Sequence, residues 1–122
     1  MHRLIKGFKA LSDDTRLRML NLLLVRECCV CEVMQALEIS QTRASRNLTM
    51  LYDVGFLKLR KDGPWSLYSI DWDEMQPNLK NVLKATQKAF AGNKQMGEDL
   101  GRLEKAQRVG IRCLVKSYTL AI

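Results

Sequence analysis

The stretch from Ser40 to Ile70 limits the possible folds more than any other part of the chain. Ser40 is a residue type that caps helix N-termini, and Ala44, Leu48 and Leu51 follow at i, i+4 and i+7. That spacing predicts a helix over about 41–53 with those three residues facing a core. Gly55 supplies the glycine on which helices commonly end. Leu57 and Leu59 then alternate with Lys58 and Arg60 as in a strand, Asp62-Gly63 is a hairpin turn signal, and a return strand is expected over about Trp65–Ile70.

Upstream, Leu4, Ile5, Phe8 and Leu11 lie at helical spacing, predicting a helix over about 2–11. Ser12-Asp13-Asp14 forms an N-cap cluster before a second helix at about 14–25, whose apolar face is Leu17, Leu20, Leu23 and Leu24. A short helix at about 31–37 precedes a turn at Glu38-Ile39. Asp71 or Asp73 is expected to cap the segment after the hairpin. From about Pro77 the pattern is helical, with a break near Gly92–Asn93, and Ile111–Ile122 is apolar at several positions and suited to a partner. Met19, Met34, Met50 and Met75 read as core or cap residues. The expectation is one domain, residues 1–122, mostly α with a small β-hairpin.

Two short helices, a tight turn and a basic hairpin make a winged helix-turn-helix. Charge supports this reading. The chain of 122 residues has a net charge of +7, and more than half of that excess lies in residues 40–61, where Arg43, Arg46, Lys58, Arg60 and Lys61 face Asp53 alone. A basic stripe of this kind suits a polyanion. On the second helix of the motif, Gln41, Thr42, Ser45, Arg46 and Thr49 can reach base edges in a major groove. Arg43 lies off that face and suits a phosphate. Arg60 and Lys61, beside the hairpin tip, suit phosphate or the adjacent minor groove.

The second informative feature is Glu27-Cys28-Cys29-Val30-Cys31-Glu32-Val33, which holds three of the four cysteines. No apolar run approaches the ~18 residues that span a bilayer. Met1–Lys9 is too broken by charge for a secretion signal. A cytoplasmic protein is expected, where clustered thiols point to metal or redox chemistry rather than structural disulfides. In an extended segment Cys29 and Cys31 point to one side and Cys28 to the other. They converge only while the stretch is extended or the helix start is unwound, and Cys28 joins them only if the backbone twists. Cys113 is the rival third ligand. A helix N-terminus and Arg26 are expected to favour the thiolate forms, with Glu27 and Glu32 opposing.

The combined motifs resemble the ArsR/SmtB family of metal-responsive repressors. The resemblance covers about residues 10–70. It rests on Leu11-Ser12-Asp13-Asp14-Thr15-Arg16-Leu17-Arg18-Met19-Leu20, the cysteine box, Gln41-Thr42-Arg43-Ala44-Ser45-Arg46-Asn47-Leu48, and Gly55-Phe56-Leu57. It implies a DNA-reading core over about 12–70 and a homodimer built through helices at about 2–11 and 77–122. It also implies repression of a resistance operon on double-stranded operator DNA, with As(III) or Sb(III) as inducer at Cys29, Cys31 and Cys28, or with Cys113. Two positions depart from the family pattern. Asn47 stands where a His is usual, so a base contact there can differ, and Met34 stands where a further cysteine is usual.

Alternatives on the same fold are a redox or sulfide sensor and a cadmium, lead or zinc sensor. The one histidine, His2, argues against a zinc site of the His-and-carboxylate kind. With no nucleotide-binding loop and no histidine beside the thiols, an enzyme is not expected, nor is an organic cofactor or a membrane partner.

Overall fold

The computed structural model describes residues 1–108. Cys113 and the apolar Ile111–Ile122 stretch lie outside the described residues. In chain order the elements are α1 (His2–Leu11), α2 (Asp14–Val25), β1 (Cys28–Cys29), α3 (Val30–Leu37), α4 (Gln41–Val54), β2 (Leu57–Asp62), β3 (Trp65–Ile70), α5 (Pro77–Phe90) and α6 (Lys94–Lys105). Among the described residues no helix is long and apolar enough to cross a membrane.

Local chemistry accounts for most boundaries. Asp13 accepts the Arg16 N–H at 3.0 Å and opens α2, and Ser40 accepts the Arg43 N–H at 3.2 Å and opens α4. Asn93 caps α6 by accepting the Met96 N–H at 3.0 Å, so the chain breaks at Gly92-Asn93 as the sequence predicts. Gly55 closes α4 at φ 107, where only glycine is unstrained. The expected aspartate cap after the hairpin differs. Asp71 accepts the Glu74 N–H in a turn, and α5 begins later with Gln76 as its N-cap and Pro77 in the first turn. Proline is preorganised there, since the N–H it lacks would have no intrahelical partner.

Helix α2 runs through the centre, touching α1, α3, α4, α6 and β3. It is therefore buried on several sides, at Met19, Leu20, Asn21, Leu22 and Leu23, rather than on the single leucine face read from periodicity; Leu17 and Leu24 are half-buried. Helix α1 also departs from its pattern. Gly7 and Ala10 are its buried residues, while Ile5 and Phe8 are 46% and 52% exposed. Gly7 sits so close to α5 that a Cβ there would lie 2.3 Å from the Leu79 side chain. The small face of α1 packs inward, and part of its apolar stripe is left uncovered in the single chain. Met50, expected in the core or at a cap, is also exposed.

The hairpin gains a third strand. The sheet order is β1-β3-β2, antiparallel throughout, with Cys28 opposite Tyr68 and Cys29 opposite Leu67. On the other side of β3, Leu59 pairs with Tyr68 and Arg60 with Leu67. The sheet thus has two faces. Cys28, Leu57, Tyr68 and Ile70 belong to the main core, whereas Cys29, Cys31 and Leu67 form a separate small cluster against Trp65.

Candidate DNA interface and thiol site

Ala44, Leu48 and Leu51 anchor α4 in the core and leave its other side open. Each buried leucine contributes roughly 1.5–3 kcal/mol. Thr42, Arg46 and Thr49 are exposed along that open side, and Gln41 donates to Ser45 Oγ at 2.8 Å beside them. Between α4 and the start of α2 lies a groove of about 410 Å³, bordered by Arg16, Arg43 and Arg46. Arg43 donates to the buried Thr15 hydroxyl at 2.6 Å. Asn47 is buried. Its amide oxygen accepts from Arg16 at 3.0 Å, and its NH₂ donates to the Arg43 carbonyl at 2.9 Å. The face thus holds an exposed reading row backed by an internal polar brace. Lys61 is exposed on the wing and donates to Ser66 across the hairpin.

Arg60 has a different neighbour from the one its sequence suggested. Its guanidinium meets the Glu27 carboxylate through two nitrogens, with Nε at 3.0 Å, and the contact holds the Glu27 carboxyl below the usual carboxylate range. Thirty-three residues separate the two, so no local pattern could have signalled the pair.

At the thiols, Cys29 is the N-cap of α3, with extended backbone (φ −86, ψ 167), and Cys31 lies in the first turn. The helix starts between them, which leaves both side chains in the small cluster on one face of the sheet. Cys28 lies in the main core on the other face. Cys28 and Cys31 also have Cys-x-x-Cys spacing, but the sheet separates their side chains. Cys28 and Cys29 are free thiols, and Cys31 is disulfide-bonded. Gln35 Nε2 lies 3.2 Å from Cys31 Sγ and also donates to the Gln107 carbonyl.

A network centred on Glu32 surrounds this cluster. The nearly buried carboxylate accepts from the Cys29 N–H at 2.9 Å, from Arg26 at 2.7 Å and from Arg108 at 2.9 Å. Burial opposes its charge, yet these donors outweigh burial and hold its pKa below the ordinary value. The sequence placed Glu32 only as an opponent of the thiolates; its place at the centre of an ion-pair network was not legible, because Arg108 comes from beyond α6.

The expected activation of the thiols is reversed. Burial pushes Cys28 up to about 12, and Arg26 offsets this only in part. Burial also raises Cys29, and the nearby Glu32 charge adds to it, against the lowering effect of the Glu32 backbone N–H. Desolvation of a thiolate outweighs the helix N-terminus here. The donor chemistry suits a thiophilic ion. Cys31 shares its cluster with Cys29 and becomes a thiol donor only when its disulfide is reduced, whereas Cys28 lies on the other face of the sheet.

The model of bacterial regulatory proteins of the arsR family matches residues 13–58. A cadmium resistance transcriptional regulatory protein CadC homolog of Staphylococcus aureus is 40% identical over 75% of this chain and 70% of its own length. The chain belongs to the arsR family. Arsenic resistance transcriptional regulator ArsR1 of Pseudomonas putida is 45% identical over 66% of each chain, so the matched segment spans just under two thirds of that relative. Among solved structures, the homodimeric winged helix-turn-helix domain Mb0332 of Mycobacterium bovis superposes with a TM-score of 0.62 at 26% identity, covering 72% of this chain and 78% of that one. The fold is the winged helix-turn-helix read from the sequence, and the family is one of DNA-binding transcriptional regulators, not of enzymes.

Proposed function

We propose that this chain represses transcription as a homodimer on operator DNA and releases it when trivalent arsenic or antimony is captured by Cys29, Cys31 and a third sulfur, either Cys28 or Cys113. The observation that carries this is the shared cluster of Cys29 and Cys31 at the start of α3, one helix ahead of the exposed row on α4. Arsenic-resistance and cadmium-resistance regulators among the relatives support a thiophilic inducer. Gln41, Thr42, Ser45, Arg46 and Thr49 read bases, Arg43, Arg60 and Lys61 meet phosphate, and Asn47 supports the row from within. The uncovered Ile5 and Phe8 on α1 support dimerisation through that helix, and the two reading helices then lie one turn of DNA apart, ~34 Å.

Relief of repression by 10²-fold requires the inducer to favour the DNA-free form by about 2.7 kcal/mol, an ordinary allosteric coupling. A gel-shift titration of the fully reduced protein tests the reading. Arsenite is expected to release the DNA, and undiminished binding at saturating arsenite would end the proposal. A second reading, a redox sensor, is favoured by the disulfide at Cys31. Peptide mapping after mild oxidation separates the two: a regulatory disulfide weakens DNA binding without any metalloid.

A further inference from the structure

The cysteine box is hydrogen-bonded into the sheet of the wing as its third strand. Cys29, Leu67 and Arg60 occupy one row across β1, β3 and β2. Residues in one row of an antiparallel sheet point to the same face. Glu27, two residues before Cys29, reaches that face too and receives Arg60 through both guanidinium contacts. Trp65 packs on the same cluster, and among the described residues its buried indole N–H has no hydrogen-bond partner. The cysteine cluster with its indole and the Glu27–Arg60 ion pair therefore lie on one face of the wing sheet.

Resting on the arsenite reading, we propose that Glu27 is the positioning residue through which the thiol site acts on DNA. It holds Arg60, and with it the β2 strand of the wing, in register with the cysteine box. In the fully reduced protein, capture of an ion by Cys29 and Cys31 reshapes the two-residue strand β1. Glu27, adjoining that strand, then leaves Arg60, and the wing loses its seat against the phosphates. The signal travels through the sheet to the wing as well as through α3 to the reading helix. The geometry suits a switch. The pair is bidentate, which fixes direction. It is also partly exposed, with side chains 31% and 57% accessible, so it can be given up readily.

The test compares wild type, Glu27→Gln, Arg60→Gln and the double variant. Operator affinity of each fully reduced protein is measured with and without saturating arsenite, and bound arsenic per protomer is counted by native mass spectrometry. The expected result for Glu27→Gln is wild-type arsenic stoichiometry, with the arsenite-induced loss of DNA affinity shrinking at least fivefold. Arg60→Gln should reduce the loss similarly, and the double variant no further than either single change, because one interaction is removed in all three. An undiminished loss in Glu27→Gln at full arsenic occupancy overturns the proposal while leaving the arsenite reading intact. A wild type that binds no arsenite, or keeps its DNA when loaded, overturns both. Circular dichroism and thermal melts of each variant show that its fold is retained.

Discussion

The amide oxygen of Asn47 accepts a 3.0 Å hydrogen bond from the Arg16 guanidinium, tying the first turn of α2 to the middle of α4. Arg46, one residue earlier, is exposed and makes no ion pair among the described residues. Neighbours in sequence therefore have separate tasks. Asn47→Ala should lower stability by about 1–3 kcal/mol, since it leaves buried polar partners unmet. Arg46→Ala should leave the denaturant midpoint almost unchanged and weaken operator binding by roughly 1–3 kcal/mol. Equilibrium unfolding together with fluorescence anisotropy on labelled operator distinguishes the two. An Asn47→Ala protein of unchanged midpoint would contradict the brace.

A second brace holds α6. Asp99 is fully buried, accepts from Arg18 at 2.8 and 2.9 Å, and accepts from Arg102 at 2.6 Å. Asp99→Ala strands two guanidiniums and should cost about 3–5 kcal/mol, measured by urea denaturation. Because α6 lies along α3, the same variant should raise amide hydrogen exchange across Val30–Leu37 before global unfolding. Exchange that stays at wild-type levels there would show that α6 does not brace the thiol helix.

Burial sets the chemistry of Cys28. With its pKa at about 12, its thiolate fraction at pH 8 is far below that of an unfolded cysteine. Iodoacetamide should label Cys28 in the folded protein at least about 10²-fold more slowly than in the urea-unfolded chain, as read by peptide mass spectrometry. Stability then depends on pH with a definite sign. The folded pKa is raised, so this contribution is fully present below the unfolded value of about 8.5 and is lost as pH rises toward 12, at up to ~1.4 kcal/mol per pH unit. Equal labelling in both states would place Cys28 outside the core.

The protonated thiols also make a prediction about the inducer. Arsenous acid is neutral near pH 7. Replacing each As–OH by As–S at a protonated thiol forms one water and releases no proton. Its affinity should therefore be nearly flat between pH 6 and pH 8. A cadmium ion must displace the proton from each thiol it binds, so its affinity should rise by up to about tenfold per pH unit per ligating thiol. Calorimetry in buffers of different ionisation enthalpy reads both. Proton uptake on arsenite binding would mean that the thiols are already ionised, since each thiolate that replaces an As–OH needs a proton to make the departing water.

The sequence by itself determined the order of the helices and the wing hairpin and most of their ends, though not strand β1 or the cap of α5. Ser40, Gly55, Asp62-Gly63 and Gly92-Asn93 act within a turn of their own position, and local backbone chemistry does not wait for the fold. The opposed directions of Cys28 and Cys29 were legible for the same reason, as a property of extended backbone. The surroundings of each side chain were decided only by tertiary structure. β1 joined the wing because β3 offered it a free edge. Asn47 turned inward onto Arg16, Arg60 found Glu27, and Glu32 collected Arg26 and Arg108. The thiols became weak acids because burial, an effect of packed neighbours, outweighed the helix N-terminus that the sequence revealed. Contacts between residues tens of positions apart depend on how helices and strands stack, and that information is held by no single stretch of the chain.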